Sequence, residues 1–399
     1  MLSSVLLQQQ GDTTSAEVSV PEPTELALRY HRGNTAIWAL DLVLGLLIPA
    51  AVLWTGFSAR LRSFAARVGR SRWFPTVALH GALYVVLVSV AYLPFAWYAG
   101  FARQHEFGLS NQSAGRWLGD WGTGVLVGAA GAALVLWVPY LLLRWSPRRW
   151  WLWTGLATVP LAALALLVTP LWIAPLFDRF EPMRDQVLEA RILALAARAG
   201  IGAGRVYQVN KSEDTRLMNA YVTGVGATKR IVLWDTLIAR LTPEQIEFVM
   251  AHEMGHFVLR HTLALILGAA LLATLSLYAV HRLAGGLIAR YRARFGFDRL
   301  DDVASLPLLL LVAGIVSFAV TPAALAFSRR QEREADRFGL ELTRNNRAAA
   351  ETFVRLQQEN LGVPRPGLLF TLWRGSHPSL AERVEFANRY RPPPRAPAP

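Results

Sequence analysis

Six long apolar stretches constrain what this chain can fold into more than any other feature of its sequence. Each holds about 20 mostly apolar residues, the length at which an α-helix crosses the hydrocarbon core of a bilayer. Trp and Tyr gather near their ends, where amphipathic rings favour the headgroup level. The sequence therefore predicts a mainly α, polytopic membrane protein with about six spans, at residues 36–57, 76–98, 121–143, 150–172, 260–282 and 303–327.

The composition favours the same class. Of 399 residues, 53% are hydrophobic and only 17% are charged, whereas soluble proteins are about 25% charged. The net charge of +13 comes mostly from arginines in loops beside the apolar stretches, where arginine sets topology and meets anionic lipids. No basic face on a folded module is visible, so we expect no nucleic-acid partner. The chain has no cysteine, which excludes disulfides and thiolate metal ligands.

The polar segments divide the chain into six parts. They are a flexible polar lead-in at 1–35, a four-span membrane region at 36–172, a soluble insert at 173–258, two further spans at 259–327, a helical C-terminal part at 328–390 and a Pro-rich disordered tail at 391–399.

The insert combines strand and helix patterns. "RVYQVN", "NAYVTGV" and "KRIVLWDTLI" alternate or are β-branched, and with a Gly-rich turn at 224–229 they predict a small antiparallel sheet. The next stretch, "LTPEQIEFVMAHEMGH", predicts a helix that starts at Thr242, with Pro243 in its first turn and Gln245 completing a capping box. We expect this helix to continue into the fifth span.

Two histidines on this helix have metal-binding spacing. His252 and His256 are four residues apart, so their side chains share one helix face about 5–6 Å apart and can bind one ion. Glu253 lies beside them, where it can accept a proton from water. Imidazole and carboxylate ligands with one open position favour zinc, here one ion per chain. The alternative is a membrane-surface helix whose His and Glu merely face water.

A third ligand is available after the last span. In "SRRQEREADRFGLEL" (328–342), Glu332 and Asp336 are four residues apart and point the same way. Glu332 can complete a two-His, one-Glu site, and Asp336 can hydrogen-bond a ligand histidine. Glu334 is a weaker candidate because it lies on a different face from Asp336. The alternative is a solvated helix of alternating charges. Two crossings separate this segment from the insert, so both fall on one side of the membrane, as a shared site requires.

The pairing of "HEMGH" with "EREAD" across two spans resembles the type I CAAX prenyl protease family of integral-membrane zinc metalloendopeptidases. The HtpX-type quality-control proteases are similar but smaller. The resemblance extends from the first span to about residue 390. Its other matching stretches are "FARQHEFGLSNQS" (101–113), "WIAPLFDRFEP" (172–182), "NAYVTG" (219–224), "KRIVLWDTL" (229–237) and "SHPSLAERV" (376–384).

The resemblance implies a role for each residue of the motifs. His252, His256 and Glu332 would bind zinc, and Glu253 would be the general base. Asp336 would orient a ligand.

It also implies roles outside the motifs. Asn219 would lie on an edge strand beside which an extended peptide docks. His377 and Arg383 would lie near the zinc, where either can stabilise an oxyanion; the alternative for His377 is a place at the start of a surface helix. We interpret His261 as interfacial or structural.

For the whole protein, the resemblance implies spans that enclose a chamber and carry a zincin-like α+β metalloprotease domain. The substrates would be membrane-associated or lipidated peptides. The Ala- and Arg-rich composition indicates a high-GC bacterium, with few prenylated proteins, so a broader peptide or HtpX-like membrane-protein substrate stays open. The family would place the zinc on the cytoplasmic side of the cell membrane, but 13 arginines in the opposite loops favour the reverse.

A non-catalytic transporter or scaffold is the alternative from another class. The full set of catalytic residues counts against it, and so do spans nearly free of His and Asp.

Overall fold

The computed structural model describes residues 17–202, 205–224 and 229–394 and is mostly helical. Within these residues, six helical segments are long and apolar enough to cross a membrane, which confirms the predicted number of spans. The segments are Glu25–Trp54, Trp73–Glu106, Ala114–Trp145, Trp150–Leu176, His261–Phe295 and Val303–Thr343.

The elements are given in chain order for the membrane region, the insert and the remainder of the chain. The first region holds α1 (Glu25–Trp54), α2 (Phe57–Val68), α3 (Trp73–Trp97), α4 (Arg103–Glu106), α5 (Ala114–Val135), α6 (Trp137–Trp145) and α7 (Trp150–Val168). The insert holds β1 (Phe180–Pro182), α8 (Gln186–Arg198), β2 (Arg205–Val209), β3 (Ala220–Thr223), β4 (Arg230–Trp234), α9 (Asp235–Ile238) and α10 (Pro243–Val258). The rest holds α11 (His261–Phe295), α12 (Leu306–Thr343), α13 (Asn346–Glu359), α14 (Leu368–Trp373) and α15 (Leu380–Arg389).

The N-terminal segment differs from the expected flexible lead-in at 1–35. Helix α1 already begins at Glu25, where the side chain of Thr24 caps it by accepting a hydrogen bond from the Ala27 N–H. Before it, the backbone of Val18 exchanges two hydrogen bonds with the Asn388 side chain of α15, at 3.2 and 2.9 Å. The described part of the lead-in is therefore attached to the C-terminal part. Residues 1–16, and residues 395–399 of the predicted tail, lie outside the described residues.

The sheet of the insert is mixed, where a purely antiparallel one was expected. Its strand order is β1-β2-β4-β3, and β2 pairs with β4 in parallel, with Val206 opposite Ile231. The long connection through β3 returns the chain to the same end of the sheet, as a parallel pair requires. Strand β3 is antiparallel to β4 and forms one edge. Of the predicted Gly-rich turn at 224–229, residues 225–228 are not among the described residues.

The insert has a core of its own beneath α10. Ile192 of α8, Ile231 and Leu233 of β4, and Met250 and Met254 of α10 are fully buried in one cluster. This packing fixes α10 against the sheet, with its capping box of Thr242 and Gln245 formed as predicted. The helix that carries the histidine motif is thus held on a folded support.

Helix α10 does not continue into the fifth span, contrary to the expectation. It ends at Val258, and α11 starts at His261 after Arg260, whose φ of 57° is left-handed. A left-handed residue cannot continue a right-handed helix. Helix α12, in contrast, runs without interruption for 38 residues from the sixth span through Glu332 and Asp336. Helix α12 is therefore the helix that runs continuously from a membrane span to the candidate metal-binding residues.

Helices α10 and α12 cross at two glycines. A Cβ on Gly255 would lie 3.2 Å from the Cα of Ala335, and one on Gly339 would lie 3.3 Å from the backbone nitrogen of His252. Glycine therefore permits a backbone approach that a larger residue would prevent. The histidine face of α10 consequently meets the acidic face of α12.

We expect Gly339→Val to destabilise this crossing by about 1–3 kcal/mol, the usual cost of overpacking. The added side chain would also press on Phe248, whose ring lies 3.0 Å from the position of a Cβ. The measurement is the midpoint of thermal unfolding in detergent, followed by tryptophan fluorescence. Gly286→Val in α11 is the matched control, because nothing lies within 4 Å of a Cβ there. Equal midpoints for the two variants would contradict the role of the crossing.

Candidate metal centre

Three predicted ligands converge where α10 crosses α12. The Nε2 atoms of His252 and His256 are 3.2 Å apart. Each lies 3.4 Å from a carboxylate oxygen of Glu332. Two helices contribute these donors, and the two nitrogens face different oxygens of Glu332, Oε2 for His252 and Oε1 for His256. The sequence predicted this set, and the structure brings all three members together.

The donor set fits a zinc ion. Zinc bonds to histidine nitrogen and carboxylate oxygen at about 2.0–2.2 Å, which in a tetrahedron separates neighbouring ligand atoms by about 3.3–3.6 Å. The observed separations of 3.2–3.4 Å are close to this range. In addition, the buried Oε2 of Glu332 accepts no hydrogen bond from the described residues, although buried polar atoms are normally satisfied. A cation would satisfy it.

The ring of His252 is held from behind by an ion pair. Its Nδ1 lies 2.9 Å from Oδ1 of Asp336, and Asp336 accepts hydrogen bonds from Nε and Nη2 of Arg383 at 2.9 and 2.5 Å. Burial by itself would lower the pKa of Arg383, but the Asp336 carboxylate outweighs burial and raises it. A permanent charge thus fixes Asp336, and Asp336 fixes the tautomer in which Nε2 of His252 is free to bind a metal.

The position of Arg383 differs from that of a group facing substrate. Its residue is only 8% exposed, and its Nη2 lies 3.5 Å from Nδ1 of His252, on the ring edge occupied by Asp336. The resemblance offered an oxyanion role for Arg383. The contacts instead couple it to Asp336.

His256 has a matching support that the sequence interpretation missed. Its Nδ1 lies 3.0 Å from Nδ1 of His261, which is 3% exposed. Nε2 of His261 lies 3.3 Å from Glu334, whose other oxygen accepts from Nε of Arg330 at 3.1 Å. One assignment of the ring protons satisfies both contacts: Nδ1–H of His256 donates to His261, and Nε2–H of His261 donates to Glu334. His261 and Glu334 therefore support a ligand.

This second support could not be recognised from residue spacing. On a continuous helix, His261 would point away from His256. It turns back because Arg260 is left-handed and α11 begins a new direction. Burial also lowers the pKa of His256 to about 4, which keeps its ring neutral, as metal binding requires.

Glu253 lies beside the two ligand histidines without a partner of its own. Its carboxylate forms no hydrogen bond or ion pair with the described residues, and the side chain is half-buried. Burial raises the pKa of Glu253 to about 7. A carboxylate with a pKa near neutrality is suited to accept and return a proton.

His377 approaches the three predicted ligands from the C-terminal part. Its Nε2 lies 3.2 Å from Oε2 of Glu332, while its side chain keeps 54% of its surface exposed. The hydroxyl of Ser376 lies 2.8 Å from Nδ1. A surface helix does start nearby, since α15 begins at Leu380 with Ser379 as its N-cap. His377 precedes that cap and is directed to the metal ligands.

Asn219 immediately precedes the edge strand β3. Its side-chain oxygen accepts a hydrogen bond from the Ala220 N–H at 2.9 Å, and its residue is exposed. Strand β3 packs beside α10. The free edge of β3 therefore runs next to the helix that carries His252 and His256.

Two family models match this chain. Residues 182–391 match peptidase family M48, and residues 14–179 match the model described as CAAX prenyl protease N-terminal, five membrane helices. The described residues of the second range contain four candidate spans. Together the two matches extend over the membrane region and the metal centre.

Named relatives and a solved structure agree with these matches. The "Uncharacterized metalloprotease YhfN" of Bacillus subtilis (strain 168) is 35% identical over 94% of this chain and 88% of its own length. The "CAAX prenyl protease 1 homolog" of Dictyostelium discoideum is 28% identical over 91% of this chain and 84% of its own. The crystal structure of S. mikatae Ste24p has the same fold, with a TM-score of 0.80 and 22% identity over 91% of this chain and 88% of that one.

The long match to the family model and the relative that is 35% identical over nearly the whole chain lead to one conclusion. This protein belongs to peptidase family M48 and is a multi-pass membrane metalloprotease.

Proposed function

We propose that this metalloprotease uses zinc to hydrolyse peptide bonds in membrane-associated or lipidated peptides, with Glu253 as general base. The observation that carries the proposal is the cluster of His252, His256 and Glu332, with the unpartnered Glu253 beside it. Zinc bound there supplies a Lewis acid for the scissile carbonyl and makes water more acidic.

The protein's own residues do the rest of the chemistry. The Glu253 carboxylate takes a proton from the attacking water and delivers it to the leaving amine. The ring N–H of His377, which extends to the edge of the metal site, donates to the carbonyl oxygen as negative charge develops there. Arg383 does not contact substrate in this proposal; it is a positioning residue that holds Asp336 against His252.

Substrate binding is assigned to the free edge of β3. An extended peptide that adds to this edge gains backbone hydrogen bonds that depend little on its sequence. Asn219, at the start of the strand, would contact that peptide. Since β3 packs beside α10, a peptide on this edge passes Glu253 and the metal ligands.

A lipid group on the substrate is supported by the relatives. Several are named CAAX prenyl protease 1 or its homolog, and Glu332 lies on the helix that continues from the sixth apolar span. The alternative is a broader HtpX-like specificity for unmodified membrane proteins. Comparing one quenched peptide with and without a farnesyl thioether in proteoliposomes separates them: a large preference for the farnesylated form supports the lipid-dependent function, and equal cleavage supports the broader one.

Glu253→Gln tests the catalytic proposal. We expect kcat to fall by about 100- to 10,000-fold, the usual contribution of a general base. Zinc content, measured by inductively coupled plasma mass spectrometry, should stay at about one ion per chain, because Glu253 is not a ligand in this proposal.

Glu332→Gln is the companion variant and should lose both zinc and activity. Full activity of Glu253→Gln, or wild-type protein that binds no zinc, would refute the proposal.

The support of His256 is tested by two substitutions at His261. His261→Phe removes the acceptor for the His256 N–H and should weaken zinc binding about 10- to 100-fold, as loss of such a partner commonly does. His261→Asn keeps an acceptor close to the position of Nδ1 and should retain most of the affinity.

Zinc affinity is measured by competition with a chelator, and thermal stability of the metal-free proteins serves as the control. If both variants bound zinc as tightly as wild type, His261 would be only a packing residue.

A further inference from the structure

A cavity of about 390 Å³ adjoins the metal centre. His377 and Arg383 form part of its wall, and the opposite part comes from the start of α1 and the end of α14. Among its other lining residues are His31 and Arg374. The cavity therefore connects the metal site with a second group of basic side chains.

Arg374 has no compensating negative charge within the described part of the chain. The residue is half-buried, yet no carboxylate among the described residues lies within ion-pair distance of its guanidinium. Its contacts are a hydrogen bond from Nη1 to Oγ1 of Thr35 at 2.9 Å and the ring of Phe370, 4.9 Å away.

A charge removed from water is normally paired or hydrogen-bonded. Arg383 is paired with Asp336, and Arg103 and Arg329, which also have no carboxylate partner among the described residues, donate to backbone carbonyl or amide oxygens. The guanidinium of Arg374 has one hydroxyl as its hydrogen-bond partner among the described residues.

His31 adds a second basic group to the same wall. Its ring centroid lies 5.3 Å from that of Phe370, so His31 and Arg374 contact the same aromatic ring. Burial lowers the pKa of Arg374. Two basic groups placed together without an acid would be stabilised by an anion in the cavity.

Hydrogen bonds to α12 fix the position of the segment that carries Arg374. Nη1 of Arg329, in α12, donates to the backbone carbonyls of Thr371 and Gly375 at 2.6 and 2.7 Å. The indole N–H of Trp373 donates to the carbonyl of Phe318 at 3.2 Å. That carbonyl lacks its usual helical donor because Pro322, four residues later, has no N–H. These contacts attach the segment that carries Arg374 to the helix that carries Glu332.

We propose that Arg374 and His31 form an anion subsite that binds a carboxylate of the peptide substrate close to its cleaved bond. This proposal rests on the proposed peptidase function and adds a specificity to it. The Cα atoms of Arg374 and His377 are three residues apart and so no more than about 11 Å from each other. A peptide passing His377 can therefore place a carboxylate at Arg374 within a few residues of the cleavage point. The carboxylate is either the C-terminal one or that of an acidic side chain.

Three versions of one quenched peptide test the subsite. The first has a free C-terminal carboxylate, and the second has a C-terminal amide. The third ends in Glu with its C-terminus blocked as an amide, so that its one added carboxylate is on the Glu side chain. We expect wild type to cleave the acid with a kcat/KM about 10- to 100-fold above that of the plain amide, the range for hydrogen bonds to a charged group. Arg374→Gln should abolish this preference, so that the acid and the amide are cleaved with the same kcat/KM. If the Glu peptide is cleaved as fast as the acid, the subsite accepts any carboxylate. If it is cleaved as slowly as the plain amide, the subsite is specific for the C-terminal carboxylate.

Arg365→Gln is the matched control, since Arg365 lies on the same segment but forms an exposed ion pair with Glu385. The inference is overturned if wild type does not distinguish acid from amide, or if Arg374→Gln slows all three peptides equally. A second readout needs no turnover: fluorescence anisotropy of labelled acid and amide peptides bound to the Glu253→Gln variant should show the same preference. Failure of wild type to cleave any peptide would count against the peptidase function, whereas equal binding of acid and amide would count against the subsite alone.

Discussion

The close crossing of α10 and α12 is the contact on which the site depends. Neither helix holds a complete metal site, since the histidines belong to one and the carboxylates to the other. The two backbones approach because Gly255 and Gly339 have no side chains, and the small Ala335 lies opposite Gly255. The glycine inside the "HEMGH" motif thus has a packing role as definite as the metal-binding role of the histidines. It sets the distance at which three donor atoms converge.

Around this crossing, the two ligand histidines are supported in parallel ways. Each Nε2 atom is directed to the centre, and each Nδ1 atom is linked to a carboxylate paired with an arginine, directly for His252 and through His261 for His256. For His252 the series is Asp336 and Arg383; for His256 it is His261, Glu334 and Arg330. Buried polar groups are stable when every donor and acceptor is matched, and such networks hold a ring in a single orientation. The rigidity of the centre therefore comes from residues outside the ligand set.

The sequence was most informative where periodicity controls geometry. Residues four apart on a helix must share a face, so His252 with His256 and Glu332 with Asp336 could be paired in advance, as could the six apolar spans. It was least informative where a single backbone conformation changes the path. The left-handed Arg260 ends α10 early and redirects His261, and no residue type at that position announces it. Strand β1, only three residues long, and the parallel pairing of β2 with β4 depend on tertiary packing. Arg383 was expected near the zinc; its side chain lies beside His252, and its pairing with Asp336 depends on the tertiary fold.

The attachment of α14 to α12 has a consequence for selectivity. Arg329 and Trp373 connect the Arg374 segment to the helix that bears Glu332, whereas the break at Arg260 separates α10 from its own span. The spacing between the metal ligand and Arg374 is then a constant of the protein. If Arg374 binds the substrate carboxylate as proposed, this spacing acts as a ruler: it selects how many residues extend past the cleaved bond, largely without regard to the type of those residues.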